Sequence, residues 1–334
     1  FERIGGFLTY EDFAAHTGEW VEPICVTYRG DYKVCELPPN TQGIAALQML
    51  QMLERFDLRG MGFGSADSIM AQVEAKRLAF EDRARGYADP AFSGVDPDLF
   101  IDKRYANYRS QQIDITKPTS FAGQSGRGFR ISSEGKPLLP IASDIILEAD
   151  KKLQDGDTTY LTVTDKDGMM VSLIQSNYRG MGTGLVADGL GFMFQDRGQL
   201  FSLDPDHPNV FEPGKRPFHT IIPAFVTKDG KPWLVSGSPM GPLIITTVLQ
   251  TMLNTIDFGM SVQQAVSAPR FHHQWRPDRL SLEPEHPLDV RERLEAIGHD
   301  VYVSPYHFGA SASILRDPAL VIPEVRRLQP RSGS

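Results

Sequence analysis

Thr158 and Ser176 are the pair in this 334-residue chain whose types and spacing could do chemistry together. Residues 156–172 read Gly-Asp-Thr-Thr-Tyr-Leu-Thr-Val-Thr-Asp-Lys-Asp-Gly-Met-Met-Val-Ser, and a second apolar run continues to Ser176. Leu161 and Val163 alternate with polar residues, and Asp167-Gly168 is a tight-turn signal, so the stretch predicts a β-hairpin. With the turn centred near Asp167, facing residues have numbers that add to about 334, which sets Thr158 opposite Ser176 within one residue of register. A hydroxyl is a weak nucleophile that attacks only when a base stands beside it. Facing hydroxyls could therefore serve acyl transfer, although the local pattern also describes an ordinary hairpin with hydroxyls at its end.

The wider sequence carries more motifs in a fixed order. Leu37-Pro38-Pro39 and Gly62-Phe63-Gly64-Ser65-Ala66-Asp67 lie upstream. Downstream come Gly182-Thr183-Gly184, Lys215-Arg216-Pro217, Ser236-Gly237-Ser238-Pro239, Ile244-Ile245-Thr246-Thr247-Val248-Leu249-Gln250 and Ala268-Pro269-Arg270-Phe271-His272-His273-Gln274-Trp275. Together with the 156–172 stretch they resemble the γ-glutamyltranspeptidase family of N-terminal-nucleophile hydrolases, over residues 5–115 and 155–315. Many ordered motifs are far more specific than any one of them.

The resemblance implies an α+β fold, a four-layer αββα sandwich. Residues 1–157 would be the C-terminal portion of the large subunit with a linker, and residues 158–334 the small subunit. The N-terminal part of the large subunit is expected to lie outside this sequence. Self-cleavage is expected between Asp157 and Thr158. Thr158 Oγ would attack the Asp157 carbonyl, an ester would form, and water would release a free α-amine on Thr158. With a reference pKa near 8 that amine can act as base for its own hydroxyl at neutral pH. Ser176, where the family has a threonine, would orient the hydroxyl or the amine.

The backbone N–H groups of Met240 and Gly241 are the candidate donors to the oxyanion. Taken alone, Gly237-Ser-Pro-Met-Gly-Pro242 is a plain loop, and Met240 stands where the family usually has glycine. The candidate substrate residues are Asn177, Tyr178, Arg197, His219 and Thr220. They depart from the family pattern, with Asn177-Tyr178 for Leu-Asn and His219-Thr220 for a serine pair. Leu200 replaces the acid that holds the donor's ammonium, and Arg197 replaces a polar amide. Leu cannot pair an ammonium, while a guanidinium favours an anionic group. These changes resemble the branch of cephalosporin-acylase-like and oxamate-hydrolysing members. The expected substrate is a small carboxylate-bearing amide. The alternatives are a true γ-glutamyl transferase acting on glutathione and an uncleaved, non-catalytic family member. The resemblance implies no cofactor. It implies a large/small subunit heterodimer, with a dimer of heterodimers as a further possibility.

Composition narrows the rest. The net charge is −8 with no basic block, which argues against nucleic acid or an anionic membrane as partner. No apolar run approaches the roughly 18 residues that span a bilayer. A cytoplasmic location is expected, with a periplasmic or secreted one as the alternative. Cys25 and Cys35 flank Gly30 symmetrically; two buried thiols are expected, a cross-strand disulfide being the other option.

No metal is expected. His272 and His273 are adjacent and so point apart in a strand or helix, and no acid stands at ligand spacing, so they read as packing residues. The Gly180–Gly184 run lacks the lysine of a phosphate loop and reads as backbone passing close to the hairpin.

The remaining elements follow from periodicity. Residues 21–37 predict a hairpin. Thr41 and Ser65 can cap helices carrying Ile44, Leu47, Leu50 and Leu53, and Ile69, Val73 and Phe80. Glu74, Lys76, Arg77 and Glu81 read as the solvated face of the second helix. Residues 117–137 read as a linker and 141–153 as a short helix or connector. Strands are expected at 159–165, 169–176, 191–195, 220–227 and 232–236, and helices at 243–257 and 262–268.

Overall fold

The alternation on either side of Gly30 folds residues 24–36 back on themselves. The computed structural model describes residues 1–119, 156–239, 241–274, 278–316 and 324–327. Met240 and the 141–153 stretch fall outside them, as does most of the 117–137 linker. In chain order the helices are α1 (Tyr10–Ala15), α2 (Gly43–Leu53), α3 (Leu58–Met61), α4 (Ala66–Gly86), α5 (Pro90–Ser93), α6 (Lys103–Ser110), α7 (Ile244–Ile256), α8 (Val262–Ser267) and α9 (Leu288–Ile297). The strands are β1 (Ile24–Tyr28), β2 (Tyr32–Glu36), β3 (Gly156–Thr164), β4 (Met170–Arg179), β5 (Ala224–Lys228), β6 (Lys231–Gly237), β7 (Phe271–Gln274), β8 (Arg279–Leu282), β9 (Val301–Val303), β10 (Ala312–Leu315) and β11 (Glu324–Arg327).

Six strands pair antiparallel in the order β1-β2-β5-β6-β10-β11. Strand side chains alternate between faces, so each strand feeds two cores. Val26, Val34, Val226 and Leu234 join the main core with Ile44, Leu47 and Leu50 of α2 and Val248 and Leu249 of α7. From the opposite face, Val235 and Ile314 pack on Met170 of β4. The β3–β4 hairpin therefore lies on the sheet as a third layer. Its outward side chains Leu161, Val163, Val171 and Leu173 are all exposed. A small sheet of β7, β8 and β9 packs with α9 against α4 through Ile69, Met70, Val73, Leu280 and Leu294. Among the described residues no helix is long and apolar enough to cross a membrane.

Three expectations need correction. Cys25 and Cys35 are not free thiols: they face each other in the β1–β2 register and form a disulfide. Residues 191–195 form no strand; the segment makes an isolated bridge from Met193 to Val186. The polar face of α4 is not solvated, because Glu74, Lys76, Arg77 and Glu81 are all buried.

The reason is that α4 runs between α2 on one side and the β7–β9 sheet with α9 on the other. Its charges are matched inside. Glu81 pairs with Arg85 and with Arg109, each at 2.7 Å. Asp82 accepts from Tyr105 at 2.7 Å and Gln48 at 2.9 Å. Lys76 Nζ donates to the His273 carbonyl at 2.7 Å and Thr246 Oγ1 at 3.0 Å. Buried charge is tolerated when it is paired and hydrogen-bonded.

Candidate active site

The turn between β3 and β4 fixes the geometry at the other end of the hairpin. Asp165 Oδ1 accepts from the backbone N–H of Asp167 at 3.0 Å and of Met169 at 2.8 Å. From that turn the register runs without a slip from Thr164↔Met170 to Thr158↔Ser176. It then breaks between Asp157 and Thr158, where Asp157 pairs with Tyr178 and Asn177 is the extra residue of β4. A bulge bends a strand and re-aims its side chains. Tyr178 sits at φ 82°, in the left-handed region that a bulky residue adopts only under local constraint.

The Thr158 hydroxyl donates to Ser176 Oγ at 2.9 Å. The same Ser176 oxygen receives the backbone N–H of Tyr178 at 2.9 Å and Arg197 Nη2 at 2.7 Å. Arg197 opens a short 3-10 turn, Arg197–Leu200, and is 3% exposed. Its Nη1 donates to Thr220 Oγ1 at 2.9 Å, and its guanidinium carbon lies 5.1 Å from the centre of the Tyr178 ring. Among the described residues no carboxylate lies within ion-pair distance of it. Burial pulls Arg197 down to about 10.

The turn is tied down on both sides. Asp196 N donates to the Asn177 carbonyl at 3.1 Å, and Arg179 N to Asp196 Oδ1 at 3.2 Å. Asn209 Nδ2 donates to the Leu200 carbonyl at 2.7 Å and its Oδ1 accepts from Phe218 N at 3.0 Å. Leu200 is buried in the main core. Gly182 permits a close approach: a Cβ there would lie 2.3 Å from the Phe194 carbonyl and 3.2 Å from Asn177 Cβ.

His219 and Thr220 lie beside the segment that opens α2. The backbone N–H of Gln42 donates to the His219 carbonyl and that of His219 to the Asn40 carbonyl, each at 2.9 Å. His219 Nδ1 accepts from Ile221 N at 3.3 Å. Desolvation, with Arg197 adding to it, pushes the imidazole down to about 3. A neutral ring that accepts at Nδ1 carries its proton on Nε2, where it can donate.

Gly241 is buried and opens the 3-10 turn Gly241–Leu243, which runs into α7 and abuts β3. Its φ is 33°. The structure thus brings Thr158, Ser176, Tyr178, Arg197 and Thr220 into one bonded group, with Asn177, His219 and Gly241 on the elements that flank it.

Two residues escaped the sequence reading. Gln42 Nε2 donates to the Thr220 carbonyl at 2.5 Å, and its Oε1 accepts from Arg83 at 2.9 Å. Glu36, at the end of β2, is 2% exposed and neither carboxyl oxygen has a partner among the described residues. Burial pushes it up to about 8. Leu37-Pro38-Pro39 flagged this segment, but nothing local shows which of its side chains turn inward.

The His272-His273 pair occupies β7, and its neighbours are internal. His272 Nδ1 contacts Thr246 Oγ1 at 3.3 Å. An acid does reach His273: Asp278 Oδ1 lies 2.8 Å from its Nε2, contrary to the expectation from spacing. His273, Asp278 and His299 bring their ligand atoms within 4.8 Å of one another. Arg77 holds the same Asp278 oxygen, so a cation there would have to displace a guanidinium.

Comparison with known proteins shows the family. The family described as Gamma-glutamyltranspeptidase matches residues 1–327. The glutathione hydrolase proenzyme of Escherichia coli (strain K12) is 38% identical over 330 residues, 95% of this chain and 53% of that protein. The acylase ACY 1 proenzyme of Pseudomonas sp. (strain SE83) is 34% identical over 319 residues, 94% of this chain and 51% of that one. The solved cephalosporin acylase from Bacillus halodurans superposes with a TM-score of 0.78 at 36% identity, over 96% of this chain and 53% of that one. The chain spans about half the length of the curated relatives it matches. The fold is the α+β fold of the N-terminal-nucleophile hydrolases, and the chain belongs to the γ-glutamyltranspeptidase family.

Proposed function

We propose that this chain carries the nucleophile of a self-cleaving amide hydrolase whose substrate bears a carboxylate close to the scissile amide. Cleavage before Thr158 yields a large/small subunit heterodimer and frees the α-amine. That amine takes the hydroxyl proton as Thr158 Oγ attacks the substrate carbonyl. The tetrahedral oxyanion is held by the backbone N–H of Gly241. The amine then hands the proton to the leaving nitrogen, an ester remains on Thr158, and water hydrolyses it.

The observation that carries the substrate part is Arg197. A buried guanidinium one hydroxyl away from Thr158, without a carboxylate among the described residues, favours an anionic acyl group. The apolar Leu200 at the family's acid position offers a γ-glutamyl ammonium no partner. The acylase relatives point the same way. The test is the ratio of kcat/KM for an oxamate- or glutaryl-type amide to that for a γ-glutamyl anilide. A ratio well above one is expected. Arg197→Ala should reduce it.

A second reading is glutathione hydrolysis. Identity to the E. coli protein of that name, 38%, exceeds the 34% to the acylase. Glutathione as the better substrate of the unmodified protein would replace the carboxylate-amide reading. An Asp157–Thr158 bond that stays intact in the purified protein would favour a non-catalytic member.

A further inference from the structure

We infer that Arg197 is a positioning residue for the nucleophile, acting through Ser176 on the Thr158 hydroxyl, and that it sets the rate of self-cleavage before any substrate binds. The inference rests on Thr158 as the nucleophile but not on the choice of substrate.

The geometry belongs to the uncut chain. Arg197 Nη2 is 2.7 Å from Ser176 Oγ, and Ser176 Oγ accepts the Thr158 hydroxyl at 2.9 Å. The other arm of the fork, Nη1, is held by Thr220 Oγ1 at 2.9 Å. A planar guanidinium fixed at two donors has its plane and reach defined, which a single ammonium does not. Its backbone is itself anchored to β4 through Asp196 and to the segment before Thr220 through Asn209. Ser176 Oγ therefore stays where its free rotamers would otherwise let it leave. The Thr158 side chain that bonds to it is thereby held in one orientation. Held geometry of this kind lowers the barrier of an intramolecular attack by sparing it the entropy of alignment. The buried positive charge also favours negative charge building on the attacking oxygen.

A residue that served only to bind a substrate carboxylate would be silent in a reaction without substrate. The experiment follows conversion of the full chain into its two pieces on a denaturing gel, for the unmodified protein, Arg197→Ala and Arg197→Lys, with melting curves as the folding check. Loss of a charge-assisted hydrogen bond should slow self-cleavage of Arg197→Ala about ten- to hundredfold. Lysine, which keeps the charge and one donor, should restore part of the rate. On a neutral amide the cleaved Arg197→Ala protein should lose kcat with KM little changed. Self-cleavage of Arg197→Ala at the unmodified rate overturns the inference. So does a lysine variant as slow as the alanine one whose melting temperature has fallen equally. A chain that stays whole even when unmodified removes Thr158 as nucleophile and this inference with it.

Discussion

Thr158 and Ser176 stand directly opposite each other across the hairpin, with hydroxyl oxygens 2.9 Å apart. The contact is made between two strands whose pairing is continuous from the turn up to that point. The two hydroxyls are therefore placed by the ladder itself, while Arg197 reaches Ser176 from the turn Arg197–Leu200.

Self-cleavage should separate residues 1–157 from residues 158–334 of this sequence, the second piece beginning at Thr158. Thr158→Ala should stay a single chain and show no amidase activity. N-terminal sequencing of the C-terminal product decides the matter, and a cleaved Thr158→Ala protein would refute the mechanism.

Gly241→Pro removes one candidate oxyanion donor, at the mouth of the turn that abuts β3. Turnover should fall about 100-fold or more, corresponding to about 3 kcal/mol of transition-state stabilisation. Steady-state kinetics on a folded variant measure it. Near-normal turnover would locate the donors elsewhere.

Glu36 should make stability fall as pH rises. Its carboxyl is pushed up to about 8 in the fold from an ordinary 4.5. Between those values the folded chain keeps a proton that the unfolded chain releases, so the unfolded state gains as pH increases. The loss across that interval is on the order of a few kcal/mol. Glu36→Gln should flatten the decline, and the two proteins should converge near pH 4.5. Melting temperatures measured across that range test it, and parallel curves would show that Glu36 does not titrate there.

Arg109 should be needed for α4 to stay buried. It lies 2.7 Å from Glu81 and 3.3 Å from Asp82, both inside the protein. Arg109→Ala leaves Asp82 without the cation it pairs with and Glu81 with Arg85 alone, and removing one partner of a buried pair costs about 3–5 kcal/mol. Denaturant unfolding would register it, and a change below about 1 kcal/mol, the range of an exposed pair, would contradict the burial.

The hairpin and its register were legible because a turn signal and a two-residue alternation fix pairing locally. Helices α2 and α7 were legible from apolar spacing, although α7 carries β-branched Ile244, Ile245, Thr246, Thr247 and Val248. The polar side of α4 misled, because sequence shows a charge without showing its partner. Arg109, Gln48 and Tyr105 come from distant positions to meet it. The same holds for Gln42, whose contact with Thr220 joins residues 178 positions apart. Cys25 and Cys35 could be placed opposite each other by counting, but counting does not say whether two facing sulfurs are bonded.

The bulge at Asn177 falls opposite the peptide between Asp157 and Thr158. On the turn side every residue from Thr158 to Thr164 is in phase with its partner, and beyond it the phase is lost. A cut at that seam would leave Thr158 as the last rung of an undisturbed ladder, its new terminus presented rather than frayed. Gly156 and Asp157, whose backbones pair out of phase with Arg179 and Tyr178, could withdraw without unzipping the rest. If the chain is cut there, the seam lets it part while Thr158 keeps its place opposite Ser176.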